Sequence, residues 1–125
     1  MYITTNFTAL DQMLKCPCCG KGGPSIALLI VLEDVRRHFG KPVYINSCSR
    51  CTTYNASEKI GGATNSEHRI WPESPWSDAA DIKVEGTTPF AVYTYLKSTP
   101  FANLLGLGKY KEFTHVDTRG YAARW

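Results

Sequence analysis

The chain has 125 residues, with 14 Lys+Arg against 11 Asp+Glu and 43% hydrophobic residues. That length suits one domain rather than two, and the composition supplies enough apolar residues for a core, which excludes wholesale disorder. The net charge of +3 falls well short of the basic stripe of a dedicated nucleic-acid binder, and the longest apolar run, residues 26–32, is too short to cross a bilayer.

In chain order, residues 1–15 place Phe7, Leu10, Met13 and Leu14 at roughly helical spacing. Cys16-Pro17-Cys18-Cys19-Gly20 and the residues to Gly23 are turn chemistry. Pro24-Ser25 opens a predicted helix with apolar positions Ile26, Leu29, Ile30, Val35 and Phe39. Gly40 stands where a C-cap glycine belongs, and Arg36, Arg37 and His38 occupy the last turn, where cations favour the helix dipole. Residues 42–46 read as a short buried strand, 47–66 as a polar, glycine-rich stretch, and 69–76 as an irregular excursion with two Trp and two Pro. Residues 79–84 read as a strand. Thr88-Pro89 starts a second helix with Phe90, Tyr93 and Leu96 inward. Residues 105–108 and 113–117 form a predicted strand pair. Helices alternating with clustered short strands predict an α+β domain.

Three histidines occur. His38, in a helix end beside two arginines, reads as a surface residue. His68 follows a glycine turn, and His115 lies on a strand beside apolar residues. Asp81 enters an apolar strand behind two alanines, an expensive place for a carboxylate unless a cation or donors meet it. Two imidazoles and one carboxylate are a catalytic zinc set with a fourth position open, and Glu112, three residues before His115, is a candidate proton acceptor. Each residue also has a plain reading: hydrogen-bonded structural histidines, a strand-end cap for Asp81, a solvated charge for Glu112. On a regular strand, residues three apart face opposite ways, so Glu112 and His115 serve one site only if a bulge or strand end intervenes. His115 and Asp117 share a face.

The residues also carry a resemblance. The blocks 46–55, from Asn46 through Cys48, Arg50 and Cys51, 60–68 ending Ser66-Glu67-His68, Ala79-Ala80-Asp81-Ile82, and His115-Val116-Asp117-Thr118-Arg119-Gly120 resemble, in order, the zinc D-Ala-D-Ala carboxypeptidase family. That family includes related peptidoglycan peptidases, often encoded by bacteriophages. The resemblance implies a small single α+β domain over 1–125, an antiparallel sheet with flanking helices carrying the zinc site, and residues 1–23 packed on it as a Cys-containing segment. It implies Zn²⁺ held by His68, Asp81 and His115, Glu112 as general base, and Arg50 facing the scissile carbonyl. Ser66 matches a serine with a binding or supporting role, and Asp117 is the candidate partner behind His115. The stretch between His68 and Asp81 is longer than the family pattern. The extra residues fall in Arg69 to Ser77, with Ser77 in place of a usual glycine. The retained alanines predict that this insert loops out, with Trp71 and Trp76 either walling the cleft or packing on the surface.

Cys16-x-x-Cys19 and Cys48-x-x-Cys51 are two C-x-x-C pairs, with Cys18 as the spare. A structural metal, a disulfide and free thiols all fit that spacing. The implied function is hydrolysis of a peptide bond in peptidoglycan stem peptides by a carboxypeptidase or endopeptidase, endolysin-like. The alternative is a non-catalytic cell-wall-binding or virion module of the same fold, against which Glu112 and Arg50 argue. A thiolate-zinc nucleic-acid module rests on the cysteine pairs alone. The expected partner is a peptidoglycan peptide. No nucleic acid, no membrane span and a monomer are expected. The first residues lack a signal-peptide pattern, so synthesis in the cytoplasm and action on the cell wall are expected.

Overall fold

A computed structural model describes residues 14–57, 62 and 66–125. Five strands form one sheet in the order β1-β2-β4-β3-β5, where β1 is Val43–Ser47, β2 Ala79–Val84, β3 Gly106–Lys109, β4 Thr114–Asp117 and β5 Ala123–Arg124. Three α-helices accompany it: α1 (Ile26–Phe39), α2 (Thr52–Ala56) and α3 (Pro89–Ser98). The α+β class read from the sequence is the fold observed. The sheet is mixed rather than wholly antiparallel, because the short β5 lies parallel to β3.

Local chemistry sets the helix ends. Ser25 Oγ accepts from the Leu28 N–H at 3.2 Å, and Gly40 closes α1 in the left-handed conformation with its N–H on the Arg36 carbonyl. Thr88 caps α3, with Pro89 in its first turn. His38 is exposed, as expected, and stacks on Tyr95 with centroids 3.6 Å apart.

Which face of each helix is buried differs from the prediction. In α1 the buried residues are Leu28, Leu29, Val31, Leu32 and Val35, while Ile26 and Ile30 are exposed. This helix is apolar nearly all round at its start, so periodicity alone leaves its orientation open, and packing on the sheet selects the leucine side. In α3, Val92 joins Tyr93 and Leu96 in the core and Phe90 is exposed. β1 is half-exposed rather than buried, since it is an edge strand with only Ile45 inward.

Alternation along the strands separates two faces of the sheet. Ala80, Ile82 and Val84 of β2, Val116 of β4 and Leu107 of β3 join Leu28, Leu32, Val35, Val92 and Leu96 in one hydrophobic core. The opposite face of the same strands carries Ala79, Asp81, His115 and Asp117. The register sets Asp81 beside His115 and Ala79 beside Asp117. Burying the even-numbered residues of β2 therefore fixes the position of the polar ones.

Candidate metal centre

Three segments converge on the polar face. β2 supplies Asp81 and β4 supplies His115, directly paired across the strands. His68 arrives from a turn whose backbone is tied to the Arg50 segment: the Arg50 N–H donates to the His68 carbonyl at 2.8 Å, and the Ile70 N–H donates to the Arg50 carbonyl at 2.8 Å. Ser66 Oγ accepts from the His68 N–H at 3.2 Å, so Ser66 braces this turn. One donor atom from each of His68, Asp81 and His115 lies within 4.8 Å of the other two, and all three residues are buried.

The direction of the lone pairs decides what this cluster is suited to hold. His68 Nδ1 lies 2.8 Å from the Cys48 carbonyl. A carbonyl only accepts, so Nδ1 carries a proton and Nε2 faces Asp81 Oδ1 at 3.2 Å. His115 Nε2 lies 2.7 Å from Asp117 Oδ2 and Nδ1 lies 3.0 Å from the same Asp81 oxygen, so both ring nitrogens face carboxylates; a neutral ring with its proton on the shorter contact turns a bare Nδ1 toward Asp81. With neutral rings, three acceptor atoms point at one another. Such an arrangement needs a cation among them, and two imidazole nitrogens with a carboxylate oxygen are donors that suit zinc. The residues therefore fit the ion that the motifs imply.

The surrounding charges fit the same reading. Burial opposes ionisation of Asp81, but the His115 and His68 rings beside it outweigh it and hold the carboxyl well below the usual carboxylate range. Burial likewise opposes a charged His115, and Asp117 with Asp81 outweighs it, raising the ring's basicity. Asp117 is fully buried and held ionised against that burial by Arg119 and His115. Arg119 grips it with Nε at 2.8 Å from Oδ1 and Nη2 at 2.7 Å from Oδ2. Asp117 thus orients His115, and Arg119 orients Asp117.

Room for that chain of contacts comes from β3. A Cβ on Gly106 would stand 2.5 Å from both Asp117 carboxylate oxygens, and one on Gly108 would stand 2.5 Å from Trp125 Nε1. Trp125 lies against His115, ring centroids 5.0 Å apart. Gly106→Ala is expected to cost about 1–3 kcal/mol of stability and to displace Asp117 from His115. Denaturant unfolding and zinc titration of this variant check both effects.

Arg50 lies at the cluster's edge. Its Nε donates to Ser47 Oγ at 3.2 Å and its Nη2 to Asp81 Oδ2 at 3.4 Å. Ser47 is opposite Asp81 across a bulge in β1. Glu112 sits in the exposed bend before β4, so a strand end does intervene between it and His115. No hydrogen bond or ion pair ties it to the three clustered residues among those described. Glu67 senses the charges of the site: it is half-buried, and burial followed by the charge of Asp117 raises its carboxyl above the ordinary range.

The insert loops out, as its retained flanks predict. Trp71 and Ser74 close a small turn, Arg69 stacks on Trp71 at 4.0 Å, and the chain returns where the Ser77 N–H donates to the Gly23 carbonyl at 2.7 Å. Ser77, in the glycine position, is fully buried, and its hydroxyl donates to the Cys48 carbonyl at 3.1 Å, the same oxygen that His68 uses. Trp71 and Trp76 are both exposed and line an open depression with Ser66, Glu67 and Asp78.

Sequence reasoning missed Arg119 and Trp125 as parts of the site. Arg119 had a signal, standing two residues after Asp117 at a strand exit, within reach of its carboxylate. Trp125 had none, because its approach depends on the parallel pairing of β5 with β3. The cysteine reading changes too: Cys16, Cys19 and Cys51 cluster, while Cys48 belongs to the hydrophobic core. Residues 14–23 pack on the domain, with Leu14 and Cys16 buried and Ser49 Oγ donating to the Leu14 carbonyl at 2.8 Å. Phe7, Leu10 and Met13 lie outside the described residues, as does the Gly61 turn. No described helix is long and apolar enough to cross a membrane.

Comparison with known proteins gives one match: a family model described as Peptidase M15 covers residues 5–117. No curated protein and no solved structure matches the chain.

Proposed function

The chain belongs to the peptidase M15 family of zinc metallopeptidases, and from that premise we propose that it hydrolyses a peptide bond in the stem peptides of bacterial peptidoglycan, as a D,D-carboxypeptidase or endopeptidase in an endolysin-like, phage-associated role. The observation that carries the reading is the convergence of His68 Nε2 and His115 Nδ1 on Asp81 Oδ1, at 3.2 and 3.0 Å.

Zinc bound there would supply Lewis-acid polarisation and a more acidic water. The protein's own groups supply the rest. Asp81 balances the ion's charge within a buried setting. Asp117 and the Cys48 carbonyl hold the two rings in the tautomers that ligation requires. Arg50 uses one N–H on Ser47 and one on Asp81. Its remaining N–H groups are available to a carbonyl oxygen that gains negative charge as the tetrahedral species forms. Glu112 accepts the proton of the attacking water and returns it to the departing amine. The exposed depression beside His68, with Trp71 and Trp76 on its rim, offers aromatic surface to the rest of the peptide.

Digestion of purified peptidoglycan, with mass analysis of products in the presence and absence of chelator, tests the function. Release of free D-alanine identifies carboxypeptidase action, and cleaved stem or cross-bridge fragments identify an endopeptidase. Absence of any metal-dependent product would favour the binding-module alternative. Glu112→Gln is expected to keep its zinc and lose hydrolysis by about 10²–10⁴-fold, since an amide cannot take the proton. Glu67→Gln serves as the comparison: if it, rather than Glu112→Gln, abolishes turnover with zinc retained, the proton acceptor is Glu67.

A further inference from the structure

Cys16, Cys19 and Cys51 form a second cluster, separate from His68, Asp81 and His115. Cys16, Cys18 and Cys19 come from the Cys-Pro-Cys-Cys-Gly turn, and Cys51 from the residue before α2. The sulfurs of Cys16, Cys19 and Cys51 lie within 4.8 Å of one another. Cys18 belongs to the same turn, between Pro17 and Cys19, and is exposed. No disulfide joins any of them. Four thiolates about 2.3 Å from one zinc ion stand ~3.8 Å apart in a tetrahedron, so little movement separates the three clustered sulfurs from their places in a ligand shell.

Two backbone N–H groups point at sulfur in this cluster. The Cys51 N–H donates to Cys16 Sγ at 3.3 Å. The Tyr54 N–H donates to Cys51 Sγ at 3.4 Å. The turn that presents Cys16 and Cys19 is closed by two backbone bonds of 2.8 Å, from the Gly20 N–H to the Cys16 carbonyl and from the Cys16 N–H to the Lys21 carbonyl. Amide donors aimed at thiolates are the surroundings that a bound metal requires of its sulfur ligands. A disulfide would consume two of the sulfurs and leave a third pressed against it.

We propose that Cys16, Cys19 and Cys51, with Cys18 as fourth donor, bind a structural zinc ion separate from the one on the sheet, and that Cys48 takes no part. The ion joins the 16–19 turn to the residue next to Arg50. It therefore braces the segment that carries the Arg50 guanidinium and, through the Arg50–His68 backbone bond, the His68 turn. That consequence for activity rests on the catalytic reading above; the binding of the ion does not.

The test uses Co²⁺ as the probe under anaerobic conditions, on the full chain carrying His68→Ala and His115→Ala, which removes the sheet ligands. The expected result is one Co²⁺ per chain with intense sulfur-to-cobalt charge-transfer absorption. Adding Cys18→Ser should weaken binding by more than about tenfold, the lower end of what even an outer partner of a ligand is worth. Adding Cys48→Ser should leave the spectrum unchanged. Should the double variant not fold, the wild type is read in the same way, with two Co²⁺ per chain and the same sulfur band. Absence of the sulfur band, its loss with Cys48→Ser but not Cys18→Ser, or a disulfide among Cys16, Cys18, Cys19 and Cys51 in anaerobically prepared protein would overturn the proposal. Absence of peptidase activity in the zinc-loaded wild-type protein, with the sulfur band intact, would count against the catalytic reading alone.

Discussion

Asp81→Asn is expected to lose the sheet zinc below detection and to lower hydrolysis by about a thousandfold or more, equivalent to roughly 4 kcal/mol of transition-state stabilisation. The substitution keeps shape and removes one charge. Asp81 Oδ1 is the atom that both imidazole nitrogens face, at 3.2 and 3.0 Å, and Oδ2 is the atom that Arg50 reaches at 3.4 Å. An amide in its place either turns an NH₂ toward Arg50, setting donor against donor, or turns it toward the imidazoles, where it occupies the lone pairs meant for the ion. In both orientations the anion that balances zinc is gone from a buried place. The fold should survive, because the residues that pack β2 on the helices are Ala80, Ile82 and Val84 on the other face. Metal analysis beside a far-ultraviolet spectrum separates loss of the ion from loss of structure. A variant that retains zinc at wild-type content would remove Asp81 from the ligand set.

Arg50→Ala is expected to lower kcat/KM by about 10²–10³, the range measured when one oxyanion donor is removed. Arg50 is held from two sides, by Ser47 Oγ and Asp81 Oδ2, so its guanidinium is positioned before substrate arrives. A cation set in advance against a charge that develops only in the transition state affects kcat more than ground-state binding. Arg50→Lys should recover little, since an ammonium lacks the planar fork that spans Ser47, Asp81 and a substrate oxygen together. A loss confined to KM would assign Arg50 to the free carboxylate of a substrate's terminal residue, which a carboxypeptidase substrate has and an internal bond lacks. Unchanged kinetics would make Arg50 a structural residue of its turn.

The clustered positions were legible because strand alternation and cost pointed the same way. Ala80, Ile82 and Val84 mark one face of β2 as core, and Asp81 on the other face is too expensive a carboxylate to leave without cations. His115 and Asp117 share parity on β4, so their 2.7 Å contact follows from the strand itself. The strand end between Glu112 and His115 also agrees with the geometric requirement placed on them.

Other features lay outside what a linear pattern encodes. Helix α2 lies hidden within a polar, glycine-rich stretch because its cap is a cysteine sulfur, and Cys51 accepting from Tyr54 falls outside the usual Ser, Thr, Asp and Asn cap signals. The second C-x-x-C pair divides because Cys48 and Cys51 flank a chain reversal. One turns into the hydrophobic core and the other toward the Cys16 turn. Ile26 and Ile30 carry the same helical period as Leu28 and Leu32, and only packing against the sheet distinguishes them. Gly106 and Gly108 belonged to a strand prediction, yet their function in the site, making space for Asp117 and Trp125, depends on which chains lie across them.

The central claim is that one zinc ion sits among His68, Asp81 and His115, and crystallography of zinc-loaded protein at the zinc absorption edge tests it most directly. The account predicts an anomalous peak ligated by His68 Nε2, His115 Nδ1 and an Asp81 carboxylate oxygen, with His68 Nδ1 still on the Cys48 carbonyl and His115 Nε2 still on Asp117. No zinc peak at that place in zinc-loaded crystals, or a peak ligated by the opposite nitrogens with those two hydrogen bonds broken, would contradict it.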